Sequence, residues 1–117
     1  MPSISGRNGG NVTLDKRAAI STVEKYVDAV KKEFSPNAII LFGSYAKGNP
    51  TVDSDIDVGI VFNGLSDDWR KTSSRLWNLA YDISWDIEPH LLDITNDKSG
   101  FVEHVIKTGQ VIYQAQQ

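Results

Sequence analysis

The chain has 117 residues, 15 of them acidic and 12 basic, for a formal net charge of -3. That length accommodates one domain with one core, and the absence of a basic run argues against a nucleic-acid partner, which would want a lysine- or arginine-rich stripe. Zero cysteines exclude disulfides and thiolate zinc sites, no segment approaches a membrane span, and the N-terminal residues lack the apolar core of a secretory signal, so the expected location is the cytoplasm.

Residues 1–12, rich in Ser, Gly and Asn, read as a mobile tail ahead of a single domain over residues 13–117. Over residues 15–34, Ile20, Val23, Val27, Val30 and Phe34 recur at steps of three and four, which predicts a helix with one buried face. Its charged face, with Lys16, Glu24, Lys31 and Lys32, reads as solvated surface. The apolar run Ala38-Ile39-Ile40-Leu41-Phe42, bounded by Ser35-Pro36-Asn37, predicts a short buried strand. Gly43-Ser44 ends it and opens a short helix over residues 45–47. A second strand, Val58-Gly59-Ile60-Val61-Phe62, is led in by Asp55-Ile56-Asp57.

A second helix is predicted over residues 67–83, with Ser66 as N-cap and Trp69, Leu76, Trp77, Ala80 and Ile83 apolar. Its tryptophans are expected in the core or at an interface. Residues 85–93 form the expected third strand, where Pro89, having no N–H to donate, marks an edge or a bulge. A third helix over residues 101–107 is stopped by Gly109, and residues 111–113 return as a short last strand. His104 reads as a helix-surface residue. The predicted fold class is α/β, a small mixed sheet with helices packed mainly on one face.

Chemistry concentrates around the first two strands. A glycine lets the backbone approach a ligand closely, and a serine opening a helix offers a hydroxyl and free N–H groups to an anion. Side chains alternate along a strand, so Ile56, Val58, Ile60 and Phe62 share one face and Asp55 and Asp57 point together to the other. Two converging carboxylates repel, and a shared proton or a divalent cation resolves the repulsion. Beside a phosphate-binding turn the cation is favoured, because magnesium binds through one or two carboxylates plus substrate phosphates.

Two other motifs fail on the same residues. Gly43 to Gly48 supplies the first six positions of a P-loop, but Asn49-Pro50 stands where Lys and Ser/Thr are required. Asp53-Ser54-Asp55-Ile56-Asp57 begins like an EF-hand loop, yet Val58 occupies the glycine position and Gly64 that of the bidentate glutamate.

Gly43-Ser44, a ten-residue spacer and Ser54-Asp55-Ile56-Asp57 together resemble the signature of the DNA polymerase β-like nucleotidyltransferases, and the chain is most similar to their minimal nucleotidyltransferase (MNT) group. The resemblance implies magnesium held by Asp55 and Asp57, ATP as nucleotide donor, and phosphates gripped by Gly43 and Ser44, with Lys47 at a basic position common in the family. It also implies a third acidic residue on a later strand, close to the pair and acting as base toward the acceptor hydroxyl. Asp86, Glu88 and His90 would share one face of the third strand, with Asp93 beyond them. Glu88 is favoured, then Asp86, and Glu88 would complete both the catalytic and the metal set.

Minimal nucleotidyltransferases pair with small helical HEPN proteins in toxin–antitoxin arrangements and add AMP to a tyrosine of the toxin. A single small domain agrees with an acceptor supplied in trans, and any exposed aromatics on the second helix would be candidates for that interface. Two alternatives stay open: a non-catalytic partner that neutralises by contact and keeps a vestigial nucleotide site, and a small-molecule nucleotidyltransferase, which would normally need an extra helical domain.

Overall fold

The structure is a computed structural model that describes residues 11–47, 55–65 and 68–116. Most of the expected tail, together with Gly48, Asn49, Pro50, Asp53, Ser54, Ser66 and Asp67, lies outside the described residues.

Helix α1 spans Asn11–Lys31, so the last two residues of the expected tail are helical. It ends before the predicted residue 34. Glu33 N and Phe34 N both donate to Val30 O, at 3.0 and 2.8 Å, in a tight turn that closes the helix. Pro36 follows, and a proline disfavours helical backbone in the residue ahead of it. Strand β1 covers Ala38–Phe42 and runs through Gly43 into the four-residue helix α2, Ser44–Lys47. Strand β2 is Ile56–Phe62.

Helix α3, Trp69–Ile83, starts two residues later than predicted, because Asp68 is its N-cap. Asp68 Oδ1 accepts from Arg70 N at 2.8 Å and Lys71 N at 3.3 Å, satisfying amides that have no partner inside the helix. Thr72, Leu76, Leu79 and Ala80 form its buried stripe, while Trp69 is half exposed. Strand β3, Ile87–Asp93, is followed by a 3-10 turn over Ile94–Asn96, then by α4, Phe101–Thr108, and β4, Gln110–Gln114.

The four strands lie in the order β3-β2-β1-β4. β2 and β3 are parallel, joined by α3 as the crossover that parallel neighbours require. The other two pairings are antiparallel, so the sheet is mixed. Pro89 sits on the edge strand, where its missing N–H costs no ladder bond.

Alternation along the strands sends side chains to two cores. Ile39 and Leu41 of β1, with Ile56, Val58, Ile60 and Phe62 of β2, pack under α1 and α3 against Val23, Tyr26, Val30 and Leu76. The opposite face carries a smaller cluster in which Ala38, Ile40, Val61 and Leu92 meet Val102 and Val105 of α4. Gly59 permits that second packing, since a Cβ there would stand 2.9 Å from Leu92 Cδ1. Tyr26, fully buried, donates its hydroxyl to Leu76 O at 2.9 Å and ties α1 to α3; burial pushes its phenol far above the usual range. No described helix is long and apolar enough to cross a membrane.

Candidate active site

The site forms where β1 ends and where β2 and β3 begin. Phe42 pairs with Asp57 across the β1–β2 ladder, and Asp57 pairs with Glu88 across the parallel β2–β3 ladder. Parallel strands in register hold neighbouring side chains on the same face, so these two carboxylates are brought together by backbone pairing alone. Asp55, exposed and just ahead of β2, lies two residues before Asp57 and shares a hydrogen bond with Glu88. His90, two residues after Glu88, places Nε2 at 3.2 Å from Asp57 Oδ1 and 3.5 Å from Glu88 Oε2.

Asp57, Glu88 and His90 are partly shielded from water, whereas Asp55 is exposed. Desolvation raises the Glu88 carboxyl above its usual range, and the hydrogen bond with Asp55 raises it further; the His90 charge works the other way, and the charges of Asp57 and Asp55 add to the rise. Three crowded carboxyls of this kind are frustrated as anions. A divalent cation relieves that frustration, and the donor set of carboxylate oxygens matches what magnesium takes. Donor atoms from Asp57, Glu88 and His90 all lie within 4.8 Å of one another.

Gly43 has a second reason to be glycine beside the one read from the sequence. Its φ is +76°, and the space that a Cβ would fill is taken by Asp57 Oδ2. The turn after β1 therefore closes directly over the carboxylate. Ser44 follows as the first residue of α2, and Lys47 is its last.

The sequence left the third carboxylate open between Asp86 and Glu88, and the structure separates them. Asp86 is exposed in the turn before β3, its N–H donating to Ser84 Oγ at 3.1 Å, whereas Glu88 faces Asp57. Asp93, at the far end of the strand, caps the 3-10 turn and accepts from Gly64 N and Leu65 N. His90 is half-buried, as a strand residue of this kind should be, and of the residues left open on that face it joins Glu88 beside Asp57. The spacing of Glu88 and His90 put them on one face; what the sequence lacked was the β2–β3 register that brings Asp57 to them. Phe42 was read only as a core residue, yet its ring stands edge-on to the His90 ring at 5.0 Å and packs on Phe101 of α4 at 6.0 Å. His104 is on the exposed surface of α4, as expected.

The chain's likeness to known proteins converges on this region. A family model described as Polymerase beta, Nucleotidyltransferase matches residues 24–117. Comparison with curated protein sequences gives no match. Among solved structures, a Sulfolobus solfataricus protein assigned as a nucleotidyltransferase superposes with a TM-score of 0.68 at 20% identity, over 94% of this chain and 93% of that one. A toxin–antitoxin complex with AMP-PNP gives a TM-score of 0.60 at 23% identity, over 84% of this chain and 75% of the other. The complex of tri-AMPylated Shewanella oneidensis HEPN toxin with MNT antitoxin gives 0.55 at 20% identity, over 87% and 75%. At such identities the structural likeness is one of fold. The matched family segment, however, takes in every strand and all the site residues described above, and the chain belongs to the polymerase β nucleotidyltransferase family.

Proposed function

We propose that the chain transfers AMP from ATP to a hydroxyl of a protein acceptor, a small helical toxin of the HEPN type, and so acts as its antitoxin in the cytoplasm. The observation that carries this reading is the in-register pair Asp57 and Glu88, joined by Asp55, under the Gly43 turn. Support for the acceptor class comes from the fold's likeness to MNT antitoxins in complex with HEPN toxins, one of them AMPylated.

Asp55, Asp57 and Glu88 are the residues that would hold magnesium, which when bound neutralises phosphate charge as pyrophosphate departs. Gly43 and Ser44 orient the β- and γ-phosphates, and Lys47 adds a positive charge beside them. The acceptor oxygen attacks the α-phosphorus; the new P–O bond forms as the bond to the bridging oxygen breaks, and pyrophosphate leaves with its electrons. Glu88 takes the acceptor's proton. Positioning and charge stabilisation supply most of the rate in such a reaction.

Docking of the acceptor falls to the exposed aromatics of α3 and the turn after it. Half-buried Trp77 meets exposed Tyr81, which meets Trp85, with tilted rings whose centroids are 5.7 and 5.8 Å apart, and Trp85 is 86% exposed. Aromatic side chains left in water on one stripe suit a protein interface. The test is label transfer from α-labelled ATP to a co-expressed partner, with γ-labelled ATP as control. Label from the α position alone, lost in Asp57→Asn at unchanged thermal midpoint, is the expected result. Magnesium-dependent ATP binding without label on any protein would replace transfer by neutralisation through contact.

A further inference from the structure

We propose that His90 is a nitrogen ligand of the metal centre and that it shifts the chain's preference from magnesium toward the later first-row divalent ions. This rests on the reading of Asp55, Asp57 and Glu88 as metal holders. One atom, His90 Nε2, lies close to oxygens of two carboxylates, 3.2 Å from Asp57 and 3.5 Å from Glu88. A single N–H aims at one acceptor, and a charge-assisted bond of that type closes to about 2.7–2.9 Å. The 3.2 Å contact is a long hydrogen bond and the 3.5 Å contact lies beyond that range. Both match the spacing of neighbouring donors around one ion: metal–ligand bonds of about 2.1 Å give donor separations of about 3.0 Å in octahedral and about 3.4 Å in tetrahedral geometry.

The ring is also held in place for this role. Phe42 packs edge-on against it at 5.0 Å, and Phe42 is braced in turn by Phe101 of α4. The backbone contributes as well, since Gly59 is the register partner of His90 and leaves its side of the ladder without a side chain. Imidazole is a ligand for iron, nickel, copper and zinc, while magnesium takes carboxylate, carbonyl and water oxygens. Adding one imidazole to a carboxylate set therefore costs little for manganese and favours the later ions. An all-carboxylate set would show no such preference.

The deciding measurement is pulsed electron paramagnetic resonance of the protein loaded with Mn2+ alone, without nucleotide. The chain has two histidines, and the other, His104, is exposed on α4, so a nitrogen coupled to bound Mn2+ is assignable. The expected result is 14N modulation in the wild type that disappears in His90→Gln and is replaced by the 15N pattern when the wild-type protein carries 15N-histidine. Isotope labelling needs no substitution, so a folding defect in the variant leaves the test intact. Titration should show Ni2+ and Zn2+ affinity falling about tenfold or more in His90→Gln, with Mg2+ affinity changed less than about threefold. Bound Mn2+ with no nitrogen coupling would overturn the ligand role while leaving the carboxylate centre standing. No Mn2+ binding in the wild type, or binding undiminished in Asp57→Asn, would overturn the centre itself, and the His90 assignment with it.

Discussion

Substituting alanine for Gly43 probes how the fold aims Asp57. The backbone there has φ +76°, and a left-handed conformation costs an L-residue about 1–2 kcal/mol. The added Cβ would also run into Asp57 Oδ2, with Asp57 Cγ at 3.3 Å and Cβ at 3.4 Å. A carboxylate at the end of a short side chain can rotate away, but it then gives up its 3.2 Å contact with His90, worth about 1 kcal/mol. The total expected loss is about 2–3 kcal/mol. In an Asp57→Ala background the steric part vanishes, because the remaining Cβ stands at ordinary contact distance, and only the conformational cost persists. Urea unfolding of wild type, both single variants and the double variant, in the presence of a chelator, should therefore give a coupling of about 1 kcal/mol. Additive single effects, within about 0.3 kcal/mol, would refute the claim that Gly43 makes room for this carboxylate. The same rotation should weaken Mn2+ binding by Gly43→Ala, and unchanged affinity would say that Asp57 stays where it was.

Tyr26→Phe removes the buried hydroxyl that donates to Leu76 O; urea unfolding should show a loss of about 0.5–1.5 kcal/mol, and no loss would mean the helix carbonyl is equally satisfied without it. Asp93 gives a pH dependence. The Thr95 hydroxyl and amide, then the Gly64 and Leu65 amides, hold its carboxyl below the usual range. A carboxyl lowered by folding stabilises above its unfolded value of about 3.9, and that contribution disappears as the pH falls through the lower folded value. The gap in urea midpoint between wild type and Asp93→Asn should accordingly be full near neutrality and close on acidification. A gap that stays constant into acid would locate the effect in hydrogen-bond geometry rather than ionisation.

Much of the molecule follows from local pattern. Steps of three and four place α1, a capped apolar stretch places α3, Gly109 marks the end of α4, and the alternation Ile56, Val58, Ile60, Phe62 puts those four on one face of β2 and hence Asp55 and Asp57 on the other. Gly43-Ser44 was readable as a strand-to-helix turn because glycine and serine have few other uses between an apolar run and a short polar helix. Element ends were less accessible. Asp68, not Ser66, caps α3, since both offer the same hydrogen-bonding chemistry and only the path of the chain decides between them.

The sequence favours Glu88 over Asp86 as the third carboxylate but leaves Asp86 and His90 open, for a related reason. Asp86, Glu88 and His90 share a parity, and parity is all that a strand pattern encodes. It took the parallel register, with Asp57 opposite Glu88 and Gly59 opposite His90, to bring one acid and one imidazole to the Asp pair and leave Asp86 in an exposed turn. The sequence by itself determined the fold class and the two aspartates, because those are properties of period and spacing along one chain segment. Tertiary structure decided which side chains stand beside Asp57, because register between strands joined by a fifteen-residue helix is set by packing of that helix on the sheet, which no local pattern contains.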